Sequence, residues 1–101
     1  MESNIAIKRL SALAQESRLA VFKLLVKAGP EGVAAGEIAQ ALGMPANTLS
    51  AQLSILANAG LVASRRAGRS IIYSANFAAM NELLAHLTAD CCQGRPELCN
   101  V

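Results

Sequence analysis

The sequence contains few aromatic residues and few charged ones. Its 101 residues include two Phe, one Tyr and no Trp, and charged residues make up 16%. Hydrophobic residues make up 53%, which excludes a mainly disordered chain, because disorder requires low hydrophobicity. The core must therefore be built from aliphatic side chains in one small domain. Such a domain buries a limited share of its surface, and this favours an oligomer.

Long apolar runs are also absent, and no cysteine occurs before position 91. No segment approaches the ~20 apolar residues of a membrane span, and the N-terminus lacks the basic-then-apolar order of a signal peptide. We therefore expect a cytoplasmic protein with no membrane partner. An odd number of cysteines in a reducing compartment argues against a disulfide framework. The net charge of +2 does not by itself indicate nucleic-acid binding, so the positions of the basic residues are more informative than their number.

Hydrophobic periodicity predicts five helices and one hairpin in the order α-α-α-α-β-β-α. The helices are predicted over about residues 4–14, 16–28, 35–42, 45–58 and 77–90. Two β-prone runs, 61–66 and 70–74, surround a short Gly-containing loop and predict the hairpin. Pro45 is expected to be the first residue of the fourth helix, and Asn76 to cap the last one. The predicted fold class is mainly α with a small β-hairpin.

The third and fourth predicted helices are separated by only two residues, a spacing typical of a helix-turn-helix. Leu49, Leu53 and Leu56 form the buried stripe of the fourth helix. No charged residue occurs between positions 45 and 58. Small amides and hydroxyls can hydrogen-bond to base edges and phosphates, which favours DNA binding. The alternative interpretation is an ordinary polar helix face that is solvated or packed. The candidate DNA-binding residues of this helix are Asn47, Thr48, Ser50, Ala51, Gln52 and Ser54.

Arginines cluster at the tip of the predicted hairpin. Arg65, Arg66 and Arg69 are three of the nine basic residues of the chain. Clustered arginines supply phosphate contacts, although they also protect an exposed sheet edge from pairing. A helix-turn-helix followed at once by a basic hairpin is a winged helix, and this combination is more specific than either half. Residues 1–90 are therefore predicted to form a winged-helix domain for DNA binding and dimerisation.

With these features, the chain resembles the ArsR/SmtB family of winged-helix metalloregulatory repressors. The segments that carry the resemblance are Leu13–Leu19, Gly36–Gly43, Thr48–Leu56, Ala59–Val62 and Arg65–Ser74. The sequence Cys91-Cys92-Gln93-Gly94 resembles the arsenic-sensing branch of that family. The resemblance implies a homodimer joined through its first and last helices. It also implies a repressor that occupies operator DNA and leaves it when an inducing ion binds.

The chain departs from the family pattern in three places. The stretch Val33–Gly36 lacks the Cys-x-Cys pair that many arsenic and cadmium sensors carry at the start of the third helix. The last helix has metal-binding residue types only at spacings that do not match the zinc site of the family. We expect its single histidine, His86, to pack at the dimer interface. Recognition helices of the family often carry His or Arg where this chain has Ala51 and Gln52, so we expect a different base preference.

The remaining candidate metal ligands are Cys91, Cys92 and Cys99, in a predicted sensing tail over residues 91–101. Soft thiolates select thiophilic ions. Trivalent arsenic or antimony forms three bonds, so three sulfurs complete a pyramidal site, whereas structural zinc takes four ligands. A glycine and a proline in the tail interrupt the helix, which allows all three thiolates of one chain to converge.

The sequence therefore predicts a DNA-binding repressor that is released from its operator by As(III) or Sb(III). No organic cofactor is expected. The chain contains no nucleophile-with-base arrangement, so we do not expect an enzyme. One alternative is a repressor that senses thiol oxidation or methylated arsenicals. The other, from a different class, is a carrier of arsenite or of a soft metal.

Overall fold

The computed structural model describes residues 1–89, so the predicted cysteine tail lies outside the described residues. The chain order is α1-α2-β1-α3-α4-β2-β3-α5. The helices are α1 (Ser3–Leu13), α2 (Glu16–Ala28), α3 (Ala35–Leu42), α4 (Ala46–Asn58) and α5 (Phe77–Leu87). The strands are β1 (Val33–Ala34), β2 (Val62–Ala67) and β3 (Ser70–Ala75). This is the predicted mainly helical winged helix-turn-helix, with one additional short strand.

The core of the domain is aliphatic, as the composition predicts. Its largest fully buried side chains come from α2, α3, α4 and the segment that follows α4, namely Val21, Leu25, Ile38, Leu49, Leu56 and Leu61. Full burial of one such side chain contributes about 1.5–3 kcal/mol. No polar or charged side chain is buried within residues 1–89, so apolar contacts hold the helix-turn-helix in place.

Short-range sequence signals set most helix boundaries. The side chain of Asn76 accepts a hydrogen bond from the backbone N–H of Ala79 at 3.1 Å, which confirms the predicted cap of α5. Pro45, predicted as the first residue of α4, instead precedes the helix with an extended ψ of 147°. α5 ends at Leu87, three residues earlier than predicted, where the backbone N–H of Thr88 bonds back to the carbonyl of Leu84 at 3.0 Å.

The sheet has three antiparallel strands in the order β1-β3-β2. β2 and β3 form the predicted hairpin, in which Ala67 pairs with Ser70 around a two-residue loop whose Gly68 has a φ of +62°. β1 was not predicted; it pairs Val33 with Tyr73, so β3 becomes the central strand. This pairing anchors the base of the hairpin to the segment that leads into α3.

Arg9 of α1 joins three helices. Its Nε donates a hydrogen bond to the carbonyl of Ala59, directly after α4, at 3.1 Å. Its Nη1 donates to the carbonyl of Ala79 in α5 at 3.4 Å and lies 4.0 Å from Oε2 of Glu82. The guanidinium therefore ties α1 to the end of α4 and to α5.

Candidate nucleic-acid interface

The turn between α3 and α4 sets the direction of α4. Gly43 adopts the left-handed conformation, with φ 61° and ψ 36°. The backbone N–H of Gly43 bonds to the carbonyl of Gln40 at 3.3 Å, and that of Met44 bonds to the carbonyl of Ala39 at 2.9 Å. These two bonds form a Schellman motif, which satisfies the last carbonyls of α3 and fixes the exit of the chain. The predicted helix-turn-helix is therefore present with a defined turn.

The surface of α4 opposite its leucine stripe is exposed and uncharged. Leu49, Leu53 and Leu56 are buried, as predicted. We call the opposite surface the α4 polar face, and define it as the exposed residues Asn47, Thr48, Ser50, Ala51 and Ser54. Its side chains are short, so a nucleic acid can approach the helix backbone closely, and none carries a charge that would first have to be desolvated.

Gln52 differs from the other five predicted DNA-binding residues of α4. It is half-buried, whereas the α4 polar face is exposed. Its Oε1 accepts a hydrogen bond from Nη1 of Arg18, in the first turn of α2, at 3.0 Å. The sequence gives no indication of this contact, because Arg18 lies 34 positions away along the chain.

The three predicted arginines all lie exposed on the wing, which we define as β2, β3 and their loop. Arg65 and Arg66 are consecutive on β2 and pair with Ile72 and Ile71, so their side chains leave opposite faces of the hairpin. Arg69 occupies the loop. The structure therefore distributes the positive charge around the wing and does not confine it to one face.

Arg65 has a contact that the sequence does not indicate. Its Nη2 donates a hydrogen bond to the backbone carbonyl of Glu31, in the turn before β1, at 2.9 Å. A carbonyl carries no net charge, so this contact orients the guanidinium and leaves its charge uncompensated. Within residues 1–89 the one ion pair with a nitrogen–oxygen distance of 4.0 Å or less joins Arg9 to Glu82, and neither residue belongs to the wing.

The outer surfaces of α1 and α5 carry exposed apolar side chains. Ile7 of α1 is 65% exposed, and Leu84 and Leu87 of α5 are 51% and 53% exposed. Leu84 also lines an apolar groove of about 410 Å³ between α2 and α5, together with Leu19 and Phe22. An apolar groove flanked by exposed aliphatic side chains is typical of a protein–protein contact.

The part of the chain that the structure describes contains no group of three His, Cys, Asp or Glu side chains placed to hold a metal ion. The predicted ligands Cys91, Cys92 and Cys99 lie outside that part. His86 is half-buried on α5. None of the helices within residues 1–89 has the length and apolar character needed to cross a membrane.

Comparison with known proteins identifies the family. A family model described as a helix-turn-helix domain matches residues 13–65, about half of the chain. The transcriptional regulator NmtR of Mycobacterium tuberculosis is 48% identical over 65 residues, which are 64% of this chain and 52% of NmtR. The nodulation protein NolR of Rhizobium meliloti is 36% identical over 87 residues, which are 86% of this chain and 69% of NolR. The chain thus spans only about half the length of NmtR.

Solved structures agree with the sequence comparison. One is the homodimeric winged helix-turn-helix DNA-binding domain of a possible ArsR-family transcriptional regulator from Mycobacterium bovis. It superposes with a TM-score of 0.66 at 31% identity, covering 84% of this chain and 83% of that one. The match to the family model spans the helix-turn-helix and ends at residue 65, within the first strand of the wing. This chain therefore belongs to the helix-turn-helix transcriptional regulators of the ArsR/SmtB type.

Proposed function

We propose that this chain is a homodimeric repressor that binds operator DNA and is released when Cys91, Cys92 and Cys99 bind trivalent arsenic or antimony. The observation that carries the DNA-binding part is the uncharged α4 polar face next to an arginine-bearing wing. Short amide and hydroxyl groups suit contact with base edges in the major groove, and arginines suit contact with phosphates. An arsenite or soft-metal carrier needs neither surface.

The exposed apolar side chains of α1 and α5 support the homodimer. Ile7, Leu84 and Leu87 are each more than half exposed in the single chain, and a second copy would remove them from water. The M. bovis relative is described as homodimeric, and its fold matches over 84% of this chain. A two-fold dimer presents two α4 helices, and two helices can read two half-sites of one operator.

The sensing part of the proposal rests on the sequence. Three thiolates within nine positions provide the three sulfur ligands of a pyramidal As(III) site. Binding must change DNA affinity, because a ligand shifts an equilibrium only through its different affinity for the two states. We propose that ion binding at the three cysteines shifts α5 and thereby changes the spacing of the two α4 helices in the dimer.

Operator binding, titrated with inducers, tests the function. The full chain is mixed with DNA from upstream of its gene and with arsenite, antimonite, cadmium or peroxide. We expect release by arsenite or antimonite at concentrations at which cadmium has little effect. Release by peroxide alone would show a thiol redox sensor. Absence of sequence-specific DNA binding, with arsenite still bound, would show a carrier.

X-ray absorption at bound arsenic tests the ligand set. We expect three sulfurs in the parent protein and two in each of the single variants Cys91→Ser, Cys92→Ser and Cys99→Ser. The variants should retain DNA binding, because no residue of the α4 polar face or the wing is changed. If Cys99→Ser still shows three sulfurs or is still released normally by arsenite, Cys99 is not a ligand. Two sulfurs in the parent would indicate a site better suited to a methylated arsenical.

A further inference from the structure

Arg18 holds one particular orientation of the Gln52 side chain. Its guanidinium contains only hydrogen-bond donors, so the group that Gln52 presents to Nη1 of Arg18, 3.0 Å away, must be the amide oxygen. The amide is planar, and its NH₂ group therefore diverges from Arg18. Among the polar residues of α4, Gln52 is thus the one whose donor and acceptor are assigned by a neighbouring side chain.

Arg18 is itself fixed by contacts that do not involve α4. Its Nε donates a hydrogen bond of 2.6 Å to the carbonyl of Ala12, in the last turn of α1. Carbonyls there have no helical partner and lie at the negative end of the helix dipole, which favours a cation. The backbone N–H of Arg18 is also bound, at 3.0 Å, by the side chain of Gln15 at the start of α2. The planar guanidinium therefore has one hydrogen bond, to Ala12, that does not depend on Gln52, and the backbone from which it extends is held by Gln15.

This arrangement restricts which base Gln52 can recognise. A free glutamine reads adenine with two bonds, because its oxygen accepts from N6 while its nitrogen donates to N7. Here Arg18 occupies one of the two acceptor positions of the oxygen and holds that end of the amide towards α2, so the oxygen and the nitrogen cannot both turn towards an adenine, and the nitrogen is the end directed away from Arg18. A lone donor matches the acceptors of guanine, N7 and O6, or the O4 of thymine.

We propose that Arg18 is a specificity-determining positioning residue, which holds Gln52 with its NH₂ outward and directs it to a base that presents acceptors instead of to adenine. The inference rests on the proposed function, since it requires α4 to face base edges. Beyond that function, Arg18 of α2 would set the base preference at one operator position without itself contacting the base.

Selection of binding sites from a randomised double-stranded DNA library tests the proposal with the full chain. Gln52→Ala identifies the position that Gln52 reads, where the parent should prefer guanine or thymine. Arg18→Met keeps the length of the side chain and removes its donors. We expect it to shift preference at that position towards adenine by roughly fivefold, the discrimination of one good hydrogen bond. In the Gln52→Ala background, Arg18→Met should leave that position unchanged.

Arg9→Met is the matched control. Arg9, like Arg18, donates from a helix to backbone carbonyls of other elements, but within residues 1–89 it makes no hydrogen bond to a side chain of α4. We expect Arg9→Met to lower thermal stability, as we also expect of Arg18→Met, without changing the base preference at the position that Gln52 reads. If Arg18→Met does not fold, Gln52→Glu provides a second test of the inference. One carboxylate oxygen would pair with Arg18, the other would face outward as an acceptor, and preference should move to cytosine, whose N4 donates.

Several results would overturn the inference. One is an Arg18→Met variant whose base preferences stay within twofold of the parent, and another is a shift that persists without Gln52. Uniformly weaker binding with a smaller salt dependence would show that Arg18 contacts phosphate. A parent protein that selects no sequence at all would contradict the proposed function, whereas a selective parent with an unaffected variant would contradict this inference alone.

Discussion

A Cβ atom on Gly32 would lie 2.5 Å from the backbone carbonyl oxygen of Tyr73, the residue of β3 that pairs with Val33. Gly32 also has a φ of +79°, which L side chains rarely adopt. The close approach and the positive φ together allow the chain to enter β1 against the central strand. A side chain at this position would force the strands apart at the base of the wing.

We therefore expect Gly32→Ala to lower the free energy of unfolding by about 1–3 kcal/mol. Gly36→Ala is the matched control, because Gly36 lies in α3 and its added Cβ meets nothing within 4 Å. That change should be neutral or stabilising by up to about 1 kcal/mol, since alanine is the better helix former. Urea denaturation of both variants measures the difference, and equal stabilities would contradict the strain at Gly32.

Removing positive charge from the wing should weaken binding to every DNA sequence. Each phosphate contact contributes about 0.9 to the slope of log K against log salt concentration. Arg66→Ala and Arg69→Ala should each reduce that slope by about one contact per subunit. Arg65→Ala should also lower stability slightly, because its guanidinium bonds the carbonyl of Glu31. A triple variant with the parent's salt dependence would place the wing outside the interface.

Charge introduced on the outer surface of α5 should prevent dimerisation. Leu84→Glu would place an unpaired carboxylate in the proposed contact, although the single chain leaves Leu84 51% exposed and so tolerates the change. We expect a folded monomer by sedimentation and weak operator binding. Leu83→Glu is the contrast, since Leu83 is 5% exposed and the variant should unfold instead. A dimeric, operator-binding Leu84→Glu protein would show that the subunits meet elsewhere.

Two asparagines of α4 should differ in their effect on specificity. Asn47 and Asn58 are both exposed, but they lie about 16 Å apart along the helix at 1.5 Å per residue. The N-terminal part of a recognition helix contacts base edges. Asn47→Ala should therefore cost about 1–3 kcal/mol at particular base pairs, whereas Asn58→Ala should change little. Binding to single-base operator variants measures both, and equal effects would contradict the proposed docking of α4.

The sequence predicts those parts of the fold that depend on local signals. α2 and α3 have the predicted bounds, because Gly29 and Gly43 end them with positive φ. β1 could not be predicted, since a two-residue strand shows no periodicity and exists only through pairing with β3 about 40 positions later. The contact of Arg18 with Gln52 is equally non-local. The candidate residues of the site could therefore be proposed from the sequence, whereas the hydrogen bonds that orient them could not.

The hydrogen bonds of Arg9 have a mechanical consequence for the proposed dimer. One guanidinium bonds the carbonyl directly after α4 and a carbonyl near the start of α5, and it thereby couples the end of the recognition helix to the helix that would meet the partner. A signal at the C-terminal end of α5 would then rotate each subunit as a rigid body about the dimer interface. For the proposed sensor, this coupling predicts that induction changes the distance between the two α4 helices and leaves the base preference of each α4 helix unchanged.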